Sequence, residues 1–227
     1  MAEGTAGTFT QIPAATQFSV LYGDVGIYVG APSDAEAVAI AKRCVNRAIA
    51  RLNSRAWTWS RSFVLISLAA GENGREYAVT GNVKSPRSLE LINLTSQIVG
   101  RLEYEDGKTF DRWFENRSAS ADPTHYTIFN LYANGYITLN AAQTSAFVAR
   151  NPTMRFRYYK HIPILSADSD LLAGPHEAEE FVLWDACAQI AGILDPSRIG
   201  FAQERAAVVW RDLVRDDVRH DIRDFSG

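Results

Sequence analysis

The chain has 227 residues, 47% of them hydrophobic, and a formal charge of −3 at pH 7, so it can bury the core of one large domain or two small ones. The slightly acidic balance argues against a general affinity for the nucleic-acid backbone, which requires a concentrated positive surface. No stretch approaches the roughly 20 consecutive apolar residues of a membrane span, and the first residues lack a signal-peptide pattern.

The N-terminal segment is rich in Gly, Thr and Ala and poor in charge, which predicts an extended arm over residues 1–30. A helix start follows, where Ser33 and Glu36 have the spacing of a capping box. Apolar residues then recur every three or four positions until Asn53. This pattern predicts a helix of about five turns with one buried face.

The helical period disappears from Trp57 to Leu165, where short β-rich runs alternate with turn signals. The Asp106-Gly107 pair predicts a tight hairpin between runs 99–104 and 108–113, and Asn134-Gly135 predicts a second hairpin. We therefore expect six to eight short antiparallel strands in this part of the chain.

Two helical patterns close the sequence. Glu177 to Leu194 is apolar on most of its circumference, and Phe201 to Arg223 becomes strongly charged after Leu213. The sequence thus predicts an α+β protein, in which a helical bundle of residues 31–56 and 171–227 carries an inserted antiparallel β-domain of residues 57–170.

Reactive groups form no recognisable catalytic or metal-binding pattern. Cys44 and Cys187 fall in predicted amphipathic helices, where a free Cys behaves as a small buried hydrophobe and fits a reducing compartment. Asp168-Ser169-Asp170 lacks the remaining ligands of a calcium loop. The histidines, which show no metal-ligand spacing, are His125, His161, His176 and His220. We expect no enzyme activity, no metal and no cofactor.

Charges repeat at regular intervals near the C-terminus. The arginines recur every fourth residue, and aspartates follow them on the adjacent strip of the helix: Arg211, Arg215, Arg219 and Arg223, with Asp212, Asp216 or Asp217, Asp221 and Asp224. One interpretation is a solvated face with Asp–Arg pairs three residues apart. The alternative is a docking surface for another subunit, to which the terminal Phe225 also contributes.

Two other functions are compatible with the β-region. A small-molecule or carbohydrate-binding β-domain on a helical stalk would be monomeric, with a pocket lined by Trp113, Tyr126 and Tyr136. A hydrolase would draw a carboxylate pair from Glu103, Glu105, Asp106 and Asp111, although acidic residues on an exposed hairpin are more often solvated.

The order of motifs resembles a known family. The first helix ends in Trp57-Thr58-Trp59, Asp122-Pro123-Thr124-His125-Tyr126 enters a strand, and the run from Arg155 to Asp170 leads into the two closing helices. Over residues 33–222 this arrangement resembles the head-to-tail adaptor proteins of tailed bacteriophages, which are components of the neck beneath the portal.

The resemblance implies a structural virion protein at the head-tail neck that is made in the host cytoplasm. Such adaptors form a ring, usually twelve-fold, beneath the portal, seal or conduct packaged DNA, and give the tail an attachment platform. The implied partners are further copies of the chain, the portal protein, a downstream neck or tail protein, and DNA that passes without tight binding; no membrane is involved. The implied portal-binding residues are Arg211, Arg215, Arg219, Arg223, Asp224 and Phe225. Contacts to the tail side or to a neighbouring subunit are expected from Glu105, Asp106, Lys108 and Asn134.

Overall fold

The computed structural model describes residues 16–71, 75–80, 82–114, 121–129 and 134–224. Two compact units divide these residues. The sheet unit is Arg61–His161, and the helical unit combines residues 16–60 with residues 162–224. Each unit has its own cluster of buried hydrophobic side chains.

The elements of the described residues are as follows. The helices are α1 (Phe18–Tyr28), α2 (Ala35–Leu52), α3 (Gly107–Trp113), α4 (Ser145–Arg150), α5 (His176–Leu194) and α6 (Ile199–Asp224). The strands are β1 (Arg61–Ser67), β2 (Glu76–Thr80), β3 (Val83–Ile92), β4 (Ile98–Tyr104), β5 (His125–Phe129), β6 (Asn134–Leu139) and β7 (Thr153–Lys160).

The three long helices predicted from the sequence are confirmed as α2, α5 and α6. Helix α2 begins one residue later than expected, because the side chain of Asp34, not Ser33, accepts a hydrogen bond from the amide of Ala37 at 2.7 Å. Its apolar stripe, including Val45 and Ile49, is fully buried in the core of the helical unit.

Residues 18–28, which lie within the segment predicted as an extended arm, form α1. Phe18, Leu21 and Val25 are buried on one face of this helix. Just before it, the amide and hydroxyl of Thr16 donate to the carboxylate of Glu179 in α5, at 2.9 and 2.8 Å. The apolar residues of α1 join the core of the helical unit, and this accounts for the low polarity that suggested an arm.

The sheet unit contains one seven-stranded sheet in the order β1-β7-β3-β4-β5-β6-β2. Neighbouring strands are antiparallel except β4 and β5, which are parallel. The amide of Ala69, just after β1, donates to the hydroxyl of Tyr77 in β2 at 3.1 Å. Because this bond connects the two outer strands, the sheet is nearly closed and barrel-like.

Side chains along β7 alternate between the buried face and the outward face of the sheet. Met154, Phe156 and Tyr158 point into the core, whereas Arg155 and Arg157 lie on the other face and are half-buried. This alternation is visible in the sequence and fixes the register of β7 against its neighbours.

The expected helical bundle with an inserted antiparallel β-domain is wrong. The protein is a mixed α/β structure, broadly α+β, with one parallel strand pair and with α3 and α4 inside the sheet unit. The cause lies at Asp106, whose side chain accepts hydrogen bonds from the amides of Lys108 and Thr109 at 3.1 and 3.2 Å. These bonds start α3 where a hairpin was predicted, so the chain reaches β5 through a helix, and β5 pairs with β4 in parallel instead of returning as an antiparallel strand.

Asn134-Gly135, the second predicted hairpin signal, forms the beginning of β6, which pairs with β5 antiparallel. The residues between these strands lie outside the described part of the chain. The domain limits proposed from the sequence stay a prediction.

Candidate assembly surfaces

The charged part of α6 contains the ion pairs that its spacing predicts. Arg215 lies 3.1 Å from Asp212, and Arg219 lies 3.6 Å from Asp216. The arginine side chains are exposed and the aspartates are half-exposed, so each pair contributes only about 0.3 kcal/mol. Whether this surface also docks onto another protein stays a prediction.

The remaining predicted portal-binding residues follow the same helix. Arg211 is exposed, and Arg223 and Asp224 belong to the last turn of α6. Phe225 lies outside the described residues. The structure thus places five of the six residues on one continuous helix.

Asp217, which the sequence pattern groups with the exposed aspartates, is instead buried. Its Oδ1 accepts hydrogen bonds from the amide and the hydroxyl of Thr58, both at 2.6 Å, and Arg55 approaches its Oδ2 at 3.5 Å. The helical period carries the signal for this role, because Asp217 continues the buried stripe of Val209 and Leu213.

The predicted tail-side or neighbour contact is centred on the corner between β4 and α3. Asp106 and Lys108 are exposed there, and Glu105 is half-buried. The hydroxyl and amide of Thr109 donate to Asp106, and these bonds hold the pKa of its carboxyl below the usual range. This carboxylate therefore stays ionised while it caps the helix.

Asn134 is the first residue of β6 and lies two residues before Tyr136, which pairs with Phe129 of β5. Gly107, at the start of α3, packs closely against the ring of Phe129. Whether Asn134 shares a contact surface with the corner stays a prediction.

The aromatic residues predicted to line a ligand pocket do not share a common surface. Tyr126 is 1% exposed within the core, whereas Trp113 and Tyr136 are 61% and 42% exposed. Tyr126 therefore does not line an open pocket together with Trp113 and Tyr136, as the carbohydrate-binding hypothesis requires.

Two of the acidic residues considered for hydrolysis have structural partners. Glu103 lies 3.2 Å from Nε2 of His125 and remains largely exposed, and Asp106 caps α3. Within the described ranges, no group of three or more His, Cys, Asp or Glu side chains is arranged to hold a metal ion. Burial raises the pKa of the Cys44 thiol, and it raises that of Cys187 to about 12, so both thiols stay protonated at neutral pH.

Glu90 forms a cluster that was not anticipated from the sequence. It is 1% exposed, and its carboxylate is approached by Arg155 at 2.7 Å, Arg157 at 3.2 Å and Arg101 at 3.4 Å. Burial alone raises the pKa of Glu90, but the hydrogen bond from Arg155 and the three positive charges outweigh it, so the pKa is lowered. No sequence signal brings these residues together, since Glu90 and Arg155 are 65 positions apart.

A second buried carboxylate, Asp185 of α5, accepts hydrogen bonds from Arg51 and from Gln189. Burial raises its pKa and outweighs the charge of Arg51. Like Asp217 and Glu179, it joins segments of the helical unit that are distant in sequence.

These features define a mixed α/β protein whose buried carboxylates serve as anchors and whose surfaces carry paired charges. A family model described as SU10 adaptor protein matches residues 16–224. The chain belongs to this family, which confirms the resemblance inferred from its motifs. The family consists of bacteriophage structural adaptors, which implies a non-enzymatic role and a place in the virion neck.

No curated protein matches the chain. In the part of the chain that the structure describes, no helix has the length and apolar character needed to cross a membrane.

Proposed function

We propose that the chain is the head-to-tail adaptor of a tailed phage and assembles as a ring, of about twelve copies in related adaptors, beneath the portal. The ring seals or conducts packaged DNA and gives the tail an attachment platform. The family match over residues 16–224 is the observation that carries this proposal.

Helix α6 supports a portal contact at its C-terminal end. With 26 residues it is about 39 Å long, and Leu213 is the last apolar side chain that it buries among the described residues. Beyond that point the helix offers charged groups at regular intervals, while Asp217 fixes it to the helical unit. In this proposal the portal binds Arg211, Arg215, Arg219, Arg223, Asp224 and Phe225.

The corner between β4 and α3 supports a contact with a neighbouring subunit or with the next neck protein. Its exposed charges include Asp106 and Lys108, and the capped α3 holds them on a regular element. The net charge of −3 fits a bore through which DNA passes without tight binding, because few phosphates are neutralised.

The proposal is tested by deleting residues 219–227. We expect the truncated protein to fold normally, with unchanged circular dichroism and thermal melting, because its last buried anchor in the described residues is Asp217. We expect it to lose attachment to purified portal and to packaged heads, measured by native mass spectrometry and co-sedimentation.

A matched control changes Arg43→Glu and Arg47→Glu on the exposed face of α2. Like the deletion, which removes Arg219 and Arg223, this variant loses two arginines, and it should still attach. A full-length protein that remains a monomer and never joins a portal, even in a packaged head, would defeat the proposal. Loss of folding in the truncated protein would show that residues 219–227 belong to the core.

A further inference from the structure

Two rows of side chains cross the outward face of the sheet unit. The strand registers define the first row as Phe63, Arg157 and Ser88, and the second as Leu65, Arg155, Glu90 and Arg101. The residues between these rows on each strand, such as Phe156 and Leu89, face the core. We call the surface formed by the two rows the arginine face.

Charge on the arginine face is only partly balanced. Arg101, Arg155 and Arg157 surround the single carboxylate of Glu90, so three positive charges meet one negative charge. Arg87 lies close enough to act electrostatically on Arg157 and adds a further positive charge. The face therefore attracts anions although the chain as a whole is acidic.

Glu90 also fixes the orientation of the arginines. It holds Arg155 through Nε and Nη2, at 2.8 and 2.7 Å, while its two oxygens cannot accept from all the donors of three guanidinium groups. The surplus N–H donors are held in a planar geometry that suits carboxylates. The cluster is thus a pre-arranged receptor for acidic groups.

Apolar side chains flank this receptor. Phe63 and Leu65 on the outer strand β1 are 40% and 51% exposed beside the arginines of β7. Arginine together with exposed aromatic and aliphatic side chains is the composition of protein interfaces, whereas binding to DNA phosphates needs no apolar contact. The composition favours a protein partner that presents carboxylates.

The chain itself contains such a partner segment. Three of the four residues from Glu103 to Asp106 are acidic, and the fourth, Tyr104, is an aromatic residue that is 44% exposed. This acidic segment begins two residues after Arg101 on β4, at one edge of the arginine face, while β1 with Phe63 and Leu65 forms the other edge. The acidic segment and the β1–β7 part of the face are therefore separated by β3, and they complement each other in charge and in apolar character.

We propose that the arginine face of one copy binds the Glu103–Asp106 segment of a second copy. Because one surface meets a different surface, the contact is heterologous and can repeat around a closed ring. This inference rests on the proposed function, because it requires that copies of the chain form a ring.

The proposal is tested by cross-linking with a short bismaleimide, using Leu65→Cys and Glu103→Cys in one chain. Both positions are exposed, whereas the native Cys44 and Cys187 are buried. In protein assembled on the portal, we expect a ladder of covalent dimers, trimers and larger products. Each single-Cys variant should give no ladder, because a heterologous contact does not bring identical positions together.

A charge reversal tests the same contact without cross-linking chemistry. Glu103→Arg should weaken assembly about tenfold, the scale expected for loss of a close interfacial charge pair. Its matched control is Glu36→Arg, which makes the same charge change at an exposed position in the helical unit and should leave assembly unchanged.

The outcomes separate this inference from the function on which it rests. Normal assembly on the portal without a ladder from the double-Cys variant would overturn the inference and leave the proposed function intact. Tight binding of duplex DNA that Arg87→Glu abolishes would assign the arginine face to nucleic acid and would also overturn it. Failure of the unmodified protein to join the portal would overturn both.

Discussion

Asp217 connects α6 to the segment that follows α2 through two short hydrogen bonds from Thr58. Asp217→Ala removes the carboxylate and leaves the amide and hydroxyl of Thr58 without this hydrogen-bond acceptor in a part-buried site. A loss of this kind costs about 1–3 kcal/mol for each unsatisfied group, so we expect the free energy of unfolding to fall by about 2–3 kcal/mol. Urea unfolding followed by fluorescence measures this change.

The adjacent aspartate provides the control for that prediction. Asp216→Ala removes a half-exposed carboxylate whose partners are Arg215 and Arg219, and the stability should change by less than about 0.5 kcal/mol. Equal effects of the two substitutions would contradict the assignment of Asp217 as an anchor.

Buried carboxylates show why some residue roles were not predictable. Glu179 binds Thr16 across 163 positions, and Glu90 binds Arg155 across 65. The sequence contains no local signal for such partners, because they are brought together only by the tertiary fold. Asp217 is different, since its position in the apolar period of α6 indicates burial even though its partner cannot be identified.

The start of α2 provides a prediction about a single element. Asp34→Ala removes the side chain that accepts from the Ala37 amide, and it should lower the free energy of unfolding by about 1 kcal/mol, which is typical of a lost N-cap. Ser33→Ala is the matched control and should have little effect. Thermal unfolding distinguishes the two, and a larger loss from Ser33→Ala would restore the capping role to Ser33.

The long helices were predictable because their apolar periods extend over many turns, as in α2. The fold class was not, because it depended on one short element. Asp106-Gly107 is compatible with a hairpin turn and with a helix cap, and only the structure shows that the Asp106 side chain accepts from Lys108 and Thr109. This local choice leads to the parallel pairing of β4 with β5. The arginine face is partly predictable from the alternation in β7, but the position of Glu90 beside Arg155 depends on the sheet order.

The division into two units leads to a prediction about autonomous folding. The sheet unit is one continuous segment, residues 61–161, with its own buried cluster, and its first and last strands pair so that Arg61 lies opposite Tyr159. Cutting the chain at these points therefore leaves the two ends adjacent without disrupting the β1–β7 pairing. We expect the isolated segment to fold, giving dispersed amide resonances and one cooperative urea transition.

Phe156→Asp in the same segment is the control, because a charge at this fully buried position should abolish the dispersed spectrum. If the unsubstituted segment also gave a collapsed spectrum while the full chain remained folded, the sheet unit would depend on the helical unit for its stability. Folding of the isolated segment would instead allow the arginine face and the Glu103–Asp106 segment to be studied apart from the charged end of α6. Self-association of that segment, weakened by Glu103→Arg, would then be attributable to the sheet unit, because the fragment contains no part of α6.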